Sequence, residues 1–175
     1  MKNLAGIGTA DTETFCSVSI FREIREDQNA IKILSELFTI QTFPSGSEVI
    51  KEGEYGDSLF IIKTGTVAII RKTRHGDPYT VTELNADMNA FFGEVALIDH
   101  EKRSATVRCT TDCSFYVLTR DKFLELGNNY PVIGLAITRE LAAIICQKLR
   151  RANDDVVILF DALVDEVAQS GGLNL

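Results

Sequence analysis

The 175-residue sequence has no tryptophan, three prolines, two methionines and two histidines. His75 and His100 stand 25 positions apart, each beside loop-forming residues. They do not make the several-histidine ligand set that barrel metalloenzymes use, so no metal is expected. Cysteine is also scarce: Cys16, Cys109, Cys113 and Cys146 form no CxxC pair. That spacing excludes a zinc ribbon and argues against a disulfide framework, leaving buried free thiols as the expectation. No apolar run nears the roughly 18 residues that span a bilayer, so no membrane is expected as a partner. The start, Met1 to Gly6, lacks the apolar stretch of a secretory signal, which predicts a cytoplasmic protein. Positive charge is in deficit, with 18 Lys and Arg against 25 Asp and Glu, a net charge of -7 and a pI near 4.9. Such a surface repels nucleic acid, because phosphate contacts dominate that affinity. A P-loop, a nucleophile elbow and a paired-acid pattern are all missing, so the chain reads as no enzyme.

What is present falls into three stretches. Residues 1–38 form an N-terminal tail and short helices, with 1–13 small, polar and frayed. Phe15, Val18, Phe21 and Ile24 recur at helical spacing, as do Ala30, Ile31, Leu34, Leu37 and Phe38, with Asp27 and Asn29 as caps between them. From Thr39 the chain is rich in Val, Ile, Thr and Phe and is punctuated by turn signals, among them Pro44-Ser45-Gly46, Glu52-Gly53, Gly56-Asp57, Thr64-Gly65 and Gly76-Asp77-Pro78. Short strands such as 48–51, 59–63 and 67–72 between regular turns predict a mainly β fold, an antiparallel β-roll or jelly-roll barrel over 39–125 with flanking helices. Leu59 to Ile62 is apolar on both faces, as in a strand covered on both sides. His75 sits at a hairpin tip. Pro131 then starts one long helix over 131–169, the whole chain forming one domain.

On that helix Ala142, Leu149, Val156 and Leu163 repeat every seven residues, with Ile145, Ala152 and Leu159 as companions. The seam suits a second helix, most simply its own copy in a homodimer. The competing reading buries the stripe on the barrel. Length favours the dimer, since such a helix at ~1.5 Å per residue overruns a small barrel. Lys148, Arg150, Arg151, Asp154 and Asp155 read as a solvated surface with local ion pairs.

The chemistry concentrates in residues 91–107, Phe-Phe-Gly-Glu-Val-Ala-Leu-Ile-Asp-His-Glu-Lys-Arg-Ser-Ala-Thr-Val. Gly93 lets the backbone approach a ligand closely. Good helix formers follow, so a short helix can begin at Glu94 or Val95 and present N–H groups to an anion. Arg103 supplies a planar fork of donors for two phosphate oxygens. Ser104 adds a hydroxyl, and Glu94 can accept from a sugar hydroxyl.

This stretch resembles the phosphate-binding cassette of cyclic-nucleotide-binding domains. The Phe-Gly-Glu, the Ala-Leu after it, the Arg-Ser-Ala-Thr-Val and the spacing between Glu94 and Arg103 all match. Gly46, Val49, Glu52-Gly53, Gly56-Asp57, Leu59 to Ile62 and Gly65-Thr66-Val67 also stand where that family has them, so the resemblance covers about 34–168. It implies a regulatory sensor whose ligand, cAMP or cGMP with cAMP favoured, is no catalytic cofactor. It implies Arg103 on the exocyclic phosphate oxygens and Glu94 on the ribose 2′-OH. Backbone N–H groups of Gly93, Val95 or Ala96 and the Ser104 hydroxyl complete the cradle. It puts Ile69 and Val81 on the barrel wall beside the base, and Leu149 and Asn153 on the long helix as a lid that moves on binding. Without a ligand, Ile69, Val81 and Leu149 read as core and Asn153 as a solvated or dimer-facing polar residue. One position departs: the family has a glycine where this chain has Asn89, and Asn tolerates positive φ better than most residues.

Three other readings compete. A degenerate, ligand-free member has no physical reason to keep Glu94, Arg103 and Ser104 together. The sensor half of a transcription regulator would continue past the long helix into a recognition helix, which this sequence does not contain. A cupin-type enzyme shares the roll but needs the missing histidines.

Overall fold

The computed structural model describes residues 16–99 and 101–169. The expectations for residues 1–13, Phe15 and His100 lie outside them. Asp27 accepts from the N–H groups of Asn29 and Ala30, both at 3.0 Å, and so caps α1 (Gln28–Ser35). Among the described residues of the earlier set, Val18 to Ile24, the chain makes a 3₁₀ turn at Ser19–Phe21 in place of an α-helix, with i to i−3 bonds running on to Asp27. No side chain caps it, and tertiary burial of Ile20 and Phe21 decides its shape.

The strands are β1 (Thr39–Phe43), β2 (Glu48–Ile50), β3 (Ser58–Thr64), β4 (Thr66–Lys72), β5 (Pro78–Asn85), β6 (Phe91–Phe92), β7 (Thr106–Cys109) and β8 (Cys113–Thr119). They form two four-stranded sheets, β1-β8-β3-β6 and β2-β7-β4-β5, with every pairing antiparallel. This is the β-roll with flanking helices that the punctuation predicts. The core draws on both sheets: Phe60, Ile62, Phe115 and Val117 from one, Val67, Val107 and Cys109 from the other. Leu59 to Ile62 are buried on both faces, as their apolar run predicts. Phe60 stacks on Phe92 at 5.2 Å, and Phe115 meets both rings edge-on.

Among the described residues, three short helices and one long one flank the sheets. After α1 comes α2 (Val95–Ile98), which packs on β3. Next is α3 (Arg120–Asn129), capped by Thr119, whose hydroxyl accepts from Lys122 N–H at 3.4 Å. This helix begins inside the stretch expected to be barrel; its Thr-Arg-Asp-Lys start carries an N-cap signal that strand-rich surroundings mask. Then α4 (Pro131–Gln169) runs unbroken, opening on proline as predicted. Gly134 lies so close to Gly127 that a Cβ at Gly134 would fall 2.7 Å from the Gly127 Cα.

The chain packs as two units, residues 1–140 and 141–175. In the first, the start of α4 is tied to the N-terminal segment. Arg22 Nε donates to Glu140 at 3.0 Å, Glu140 being buried, and Arg139 pairs with Glu23. The second unit is helical over 141–169. Leu149, Val156, Leu159 and Leu163 of the expected seam are exposed there. Among the described residues no helix is long and apolar enough to cross a membrane.

The cysteines correct one expectation. Cys109 and Cys113 are buried, but Cys16 is half-buried and Cys146 is exposed on α4. Burial, then a hydrogen bond with Cys113, pushes the Cys109 thiol up to about 12.

Candidate functional site

The site begins from the aromatic core. Phe92 is pinned by its stack on Phe60 and its β3 register, so the chain leaves β6 at a fixed point. Just before β6, the side chain of Asn85 accepts from Met88 N–H at 3.2 Å, closing a 3₁₀ turn at Ala86–Met88. Asn89 ends that turn at φ 47° and ψ 38°. It is the one non-glycine residue with positive φ among those described. The departure at Asn89 therefore keeps the left-handed turn.

Gly93 follows at φ 77°, and a Cβ there would lie 2.7 Å from the Ser58 carbonyl oxygen and 2.9 Å from Arg103 Nη1. Only glycine fits this conformation and this space. Glu94 comes next at the N-cap of α2, with 4% of its surface exposed. The helix starts at Val95, as the sequence allows. Val95 is exposed and Ala96 buried. Ala96 N–H already reaches Gly93 O at 3.3 Å, so this donor is engaged within the turn.

A second loop delivers Arg103. Its backbone N–H donates to Glu54 O and its carbonyl accepts from Gly53 N–H, both at 2.9 Å. Tyr55 and Lys102 bridge beside them, with the Lys102 ammonium over the Tyr55 ring. These bonds lock the arginine backbone against the turn of Gly53, which stands at φ 85°. The guanidinium then reaches across: Nη1 donates to Gly93 O at 3.1 Å and Nη2 to Ser58 O at 2.7 Å. Gly56 leaves room for it, since a Cβ at Gly56 would fall 2.7 Å from Nη2. Those two bonds use two of the five guanidinium donors, leaving three for another acceptor.

The electrostatics follow from burial. Partial burial lowers the Arg103 pKa, while the carboxylates of Asp57, Glu94 and Asp99 raise it. The arginine stays charged, and half-burial strengthens its hold on any anion that reaches it. Ser104, the next residue, is exposed. The structure thus brings Gly93, Glu94, Val95, Ala96 and Arg103 to one place, with Ser104 adjoining them in sequence.

The expected base-side residues separate. Ile69 is half-buried and packs against the barrel core. Val81 is 51% exposed, against its reading as core. It lies where the β4–β5 register shifts between Ile69↔Thr82 and Ile70↔Thr80, a bulge on the edge strand β5. Leu149 is 60% exposed, which corrects its core reading, and Asn153 is exposed as expected. Both belong to the second unit.

Sequence reasoning missed the carbonyls of Ser58 and Glu54 and the packing of Gly56 on Arg103. Backbone acceptors carry no residue signal. Gly53 and Gly56-Asp57 were visible as turns and as positions matching the family, but not as the groups that lock Arg103.

The family model for the cyclic nucleotide-binding domain matches residues 40–130. The mouse potassium/sodium hyperpolarization-activated cyclic nucleotide-gated channel 2 is 28% identical over 107 residues, which is 61% of this chain and 12% of the channel. The chain thus spans only about an eighth of that relative. The cyclic AMP receptor protein of Thermus thermophilus is 27% identical over 122 residues, 70% of this chain and 54% of that protein. Among solved structures, a cyclic nucleotide-binding domain from Methylobacillus flagellatus superposes with a TM-score of 0.71 at 25% identity, covering 87% of each chain. With the barrel, the positive-φ glycine and the arginine above it all inside a match over more than half its length, the chain belongs to the cyclic nucleotide-binding domain family.

Proposed function

We propose that this chain is a regulatory sensor that binds a 3′,5′-cyclic nucleotide, cAMP in preference to cGMP, between Arg103 and the turn at Gly93-Glu94. One observation carries the reading. A half-buried guanidinium is held over a glycine turn by two backbone carbonyls, with buried Glu94 beside it. That pairs a cation for a cyclic phosphate with a carboxylate for a ribose hydroxyl in a partly desolvated place. The N–H groups of Gly93, Val95 and Ala96 and the Ser104 hydroxyl add donors, with Ala96 giving up its long bond to Gly93 O. Ile69 and Val81 flank the base from the barrel. Leu149 and Asn153 are assigned to the base in the bound form, the helix moving as the ligand enters. Such a shift requires the ligand to bind one arrangement better than the other. The preference for cAMP is supported by the name of the Thermus relative. The seam on α4 makes a homodimer the expected assembly.

Isothermal titration of the full chain with cAMP and with cGMP tests the reading. cAMP is expected to bind at micromolar concentration or below, with cGMP at least several-fold weaker. Tighter cGMP binding would reverse the base preference. If neither nucleotide binds, the chain is the degenerate member of its family.

A further inference from the structure

Cys109 and Cys113 are two thiols that no step of the proposed nucleotide binding uses. Cys109 is the last residue of β7 and Cys113 the first of β8, with exposed Thr110, Thr111 and Asp112 between them. The turn crosses between sheets, since β7 belongs to one and β8 to the other. Both side chains are buried in the same core cluster. They converge on one piece of backbone. Cys109 is in register with Val67, and Cys113 Sγ donates to the neighbouring Thr66 carbonyl, or to Thr111 O, at 3.3 Å. With its one proton spent there, Cys113 Sγ is left to accept from the Cys109 thiol, and the two sulfurs are hydrogen-bonded. Gly65 makes the room: it stands at φ 90°, and a Cβ there would fall 2.6 Å from Cys113 Sγ. The two thiols differ in access. Cys113 lines a surface cavity of about 380 Å³ together with the hydroxyl side chains Thr42, Thr64 and Ser114, whereas Cys109 is not part of its wall.

We propose that Cys109 and Cys113 form a redox modification site, a dithiol that a small hydroperoxide reaching Cys113 through this cavity converts to a reversible disulfide joining the two sheets. The Cys113 sulfur attacks the peroxide. An S–O bond forms, the O–O bond breaks, and the peroxide takes two electrons from the sulfur. With hydrogen peroxide, the departing oxygen leaves as water with the thiol proton. The Cys109 sulfur then attacks the sulfenic acid. The S–S bond forms, the S–O bond breaks, and the hydroxide leaves as a second water with the Cys109 proton. A dithiol reductant returns the two electrons and restores both thiols. The fold accommodates the product. A disulfide brings its sulfurs to about 2.05 Å, and these two start in contact across a turn of exposed residues. Loss of the Cys113 proton orphans no buried acceptor. Thr66 O keeps the Thr110 N–H at 2.9 Å and the Thr110 hydroxyl at 3.0 Å, and Thr111 is exposed. Burial, which pushes the Cys109 thiol up to about 12, keeps that thiol protonated, so protonation and access both make Cys113 react first.

The test uses the full chain with Cys16→Ser and Cys146→Ser, which leaves the buried pair alone. The folded chain is treated with a modest excess of hydrogen peroxide, freed of it, unfolded in iodoacetamide and read by mass spectrometry. No alkylation is expected, with the peptide that holds both cysteines two hydrogens lighter and dithiothreitol restoring both thiols. Reading the same peptide from the unsubstituted chain gives this result without any substitution. Full alkylation of both thiols, at a dose that oxidises Cys146 in the unsubstituted chain, overturns the proposal. So does a gain of oxygen at either cysteine that dithiothreitol does not reverse. Cys109→Ser in this background should stop at a Cys113 sulfenic acid that dimedone traps. Cys113→Ser should slow the oxidation of Cys109 at least about tenfold, because that thiol has no access of its own. Oxidation of Cys109 in that variant as fast as the pair forms its disulfide would overturn Cys113 as the point of attack, and the site with it.

Discussion

Strand β3, which pairs with β6 where the chain enters the cassette, and strand β5, on the far edge of the other sheet, end in opposite states. Leu59, Phe60, Ile61 and Ile62 are buried, while residues 78–83 are exposed throughout. Composition already separates them, since β3 carries Leu59-Phe60-Ile61-Ile62 where β5 alternates Thr80, Val81, Thr82 and Glu83. Coverage agrees: β3 lies between β8 and β6 with α2 packed on it, whereas β5 has a strand on one side only. On β3 the covered strand fixes the backbone, so Ser58 O and Gly93 O meet Arg103 at hydrogen-bonding distance. On β5 the bulge at Val81 leaves a side chain that nothing in its own sheet constrains. The difference teaches that the Arg103–Gly93 end of the proposed site is preorganised by the fold, while its Val81 end is not.

Four substitutions and one labelling experiment can break that contrast or sharpen it. The largest effect is expected from Arg103→Ala. Removing a partly buried charge from its anion costs on the order of 3–5 kcal/mol. That corresponds to at least a hundredfold loss of cyclic-nucleotide affinity in a titration, with circular dichroism unchanged in shape. Retained affinity would end the assignment of Arg103 to the phosphate.

Gly93→Ala should come second. Its φ of 77° strains any side chain, and its Cβ would press on the Ser58 carbonyl. A loss of about 1–3 kcal/mol in chemical denaturation is expected, with affinity down about tenfold or more. Unchanged stability and binding would mean that the turn is not preorganised. Glu94→Gln keeps the shape and removes one charge. About tenfold weaker binding of the nucleotide, with a smaller loss for a 2′-deoxy analogue, would tie Glu94 to the ribose. Equal losses for both ligands would assign it to the arginine instead.

Val81→Ala carries the other side of the comparison. Stability should change by no more than about 0.5 kcal/mol, and affinity by less than about threefold. A tenfold loss would show that the base end is as tightly built as the phosphate end. The smallest effect concerns reactivity. At about pH 8 a thiol reagent should modify exposed Cys146 within minutes while Cys109 resists, because burial pushes its thiol up to about 12. Rapid labelling of Cys109, read by mass spectrometry of peptides, would indicate that this end of the barrel opens.

Much of the site was legible before any coordinates. Gly93, Glu94 and Arg103 stand at a spacing that chemistry and resemblance both single out, and the structure brings them together. Asn89 was legible as a left-handed position because so few residues tolerate one. The long helix was legible from Pro131 and from its lack of breakers. What escaped was of two kinds. Backbone acceptors, the carbonyls of Ser58 and Glu54, have no residue identity and cannot be seen in a string of letters. Burial of individual apolar residues escaped as well. Val81 and Leu149 look like Ile69 in the sequence, yet two are exposed and one packs on the core. The helix α3 was hidden because its hydroxyl cap follows directly on a strand.

By itself the sequence determined where the backbone turns, since glycine at residues 46, 53, 65, 76 and 93, with Asn89, takes conformations that other side chains resist. It also determined which charged groups are available to a ligand and that the fold is a β-roll ending in a long helix. Only the tertiary structure decided which carbonyls hold the Arg103 guanidinium, which apolar residues face the core, and that Phe21 sits in a 3₁₀ turn. These depend on contacts between residues far apart in the chain. Packing sets those contacts through the coverage each strand receives, and local propensity carries no record of it.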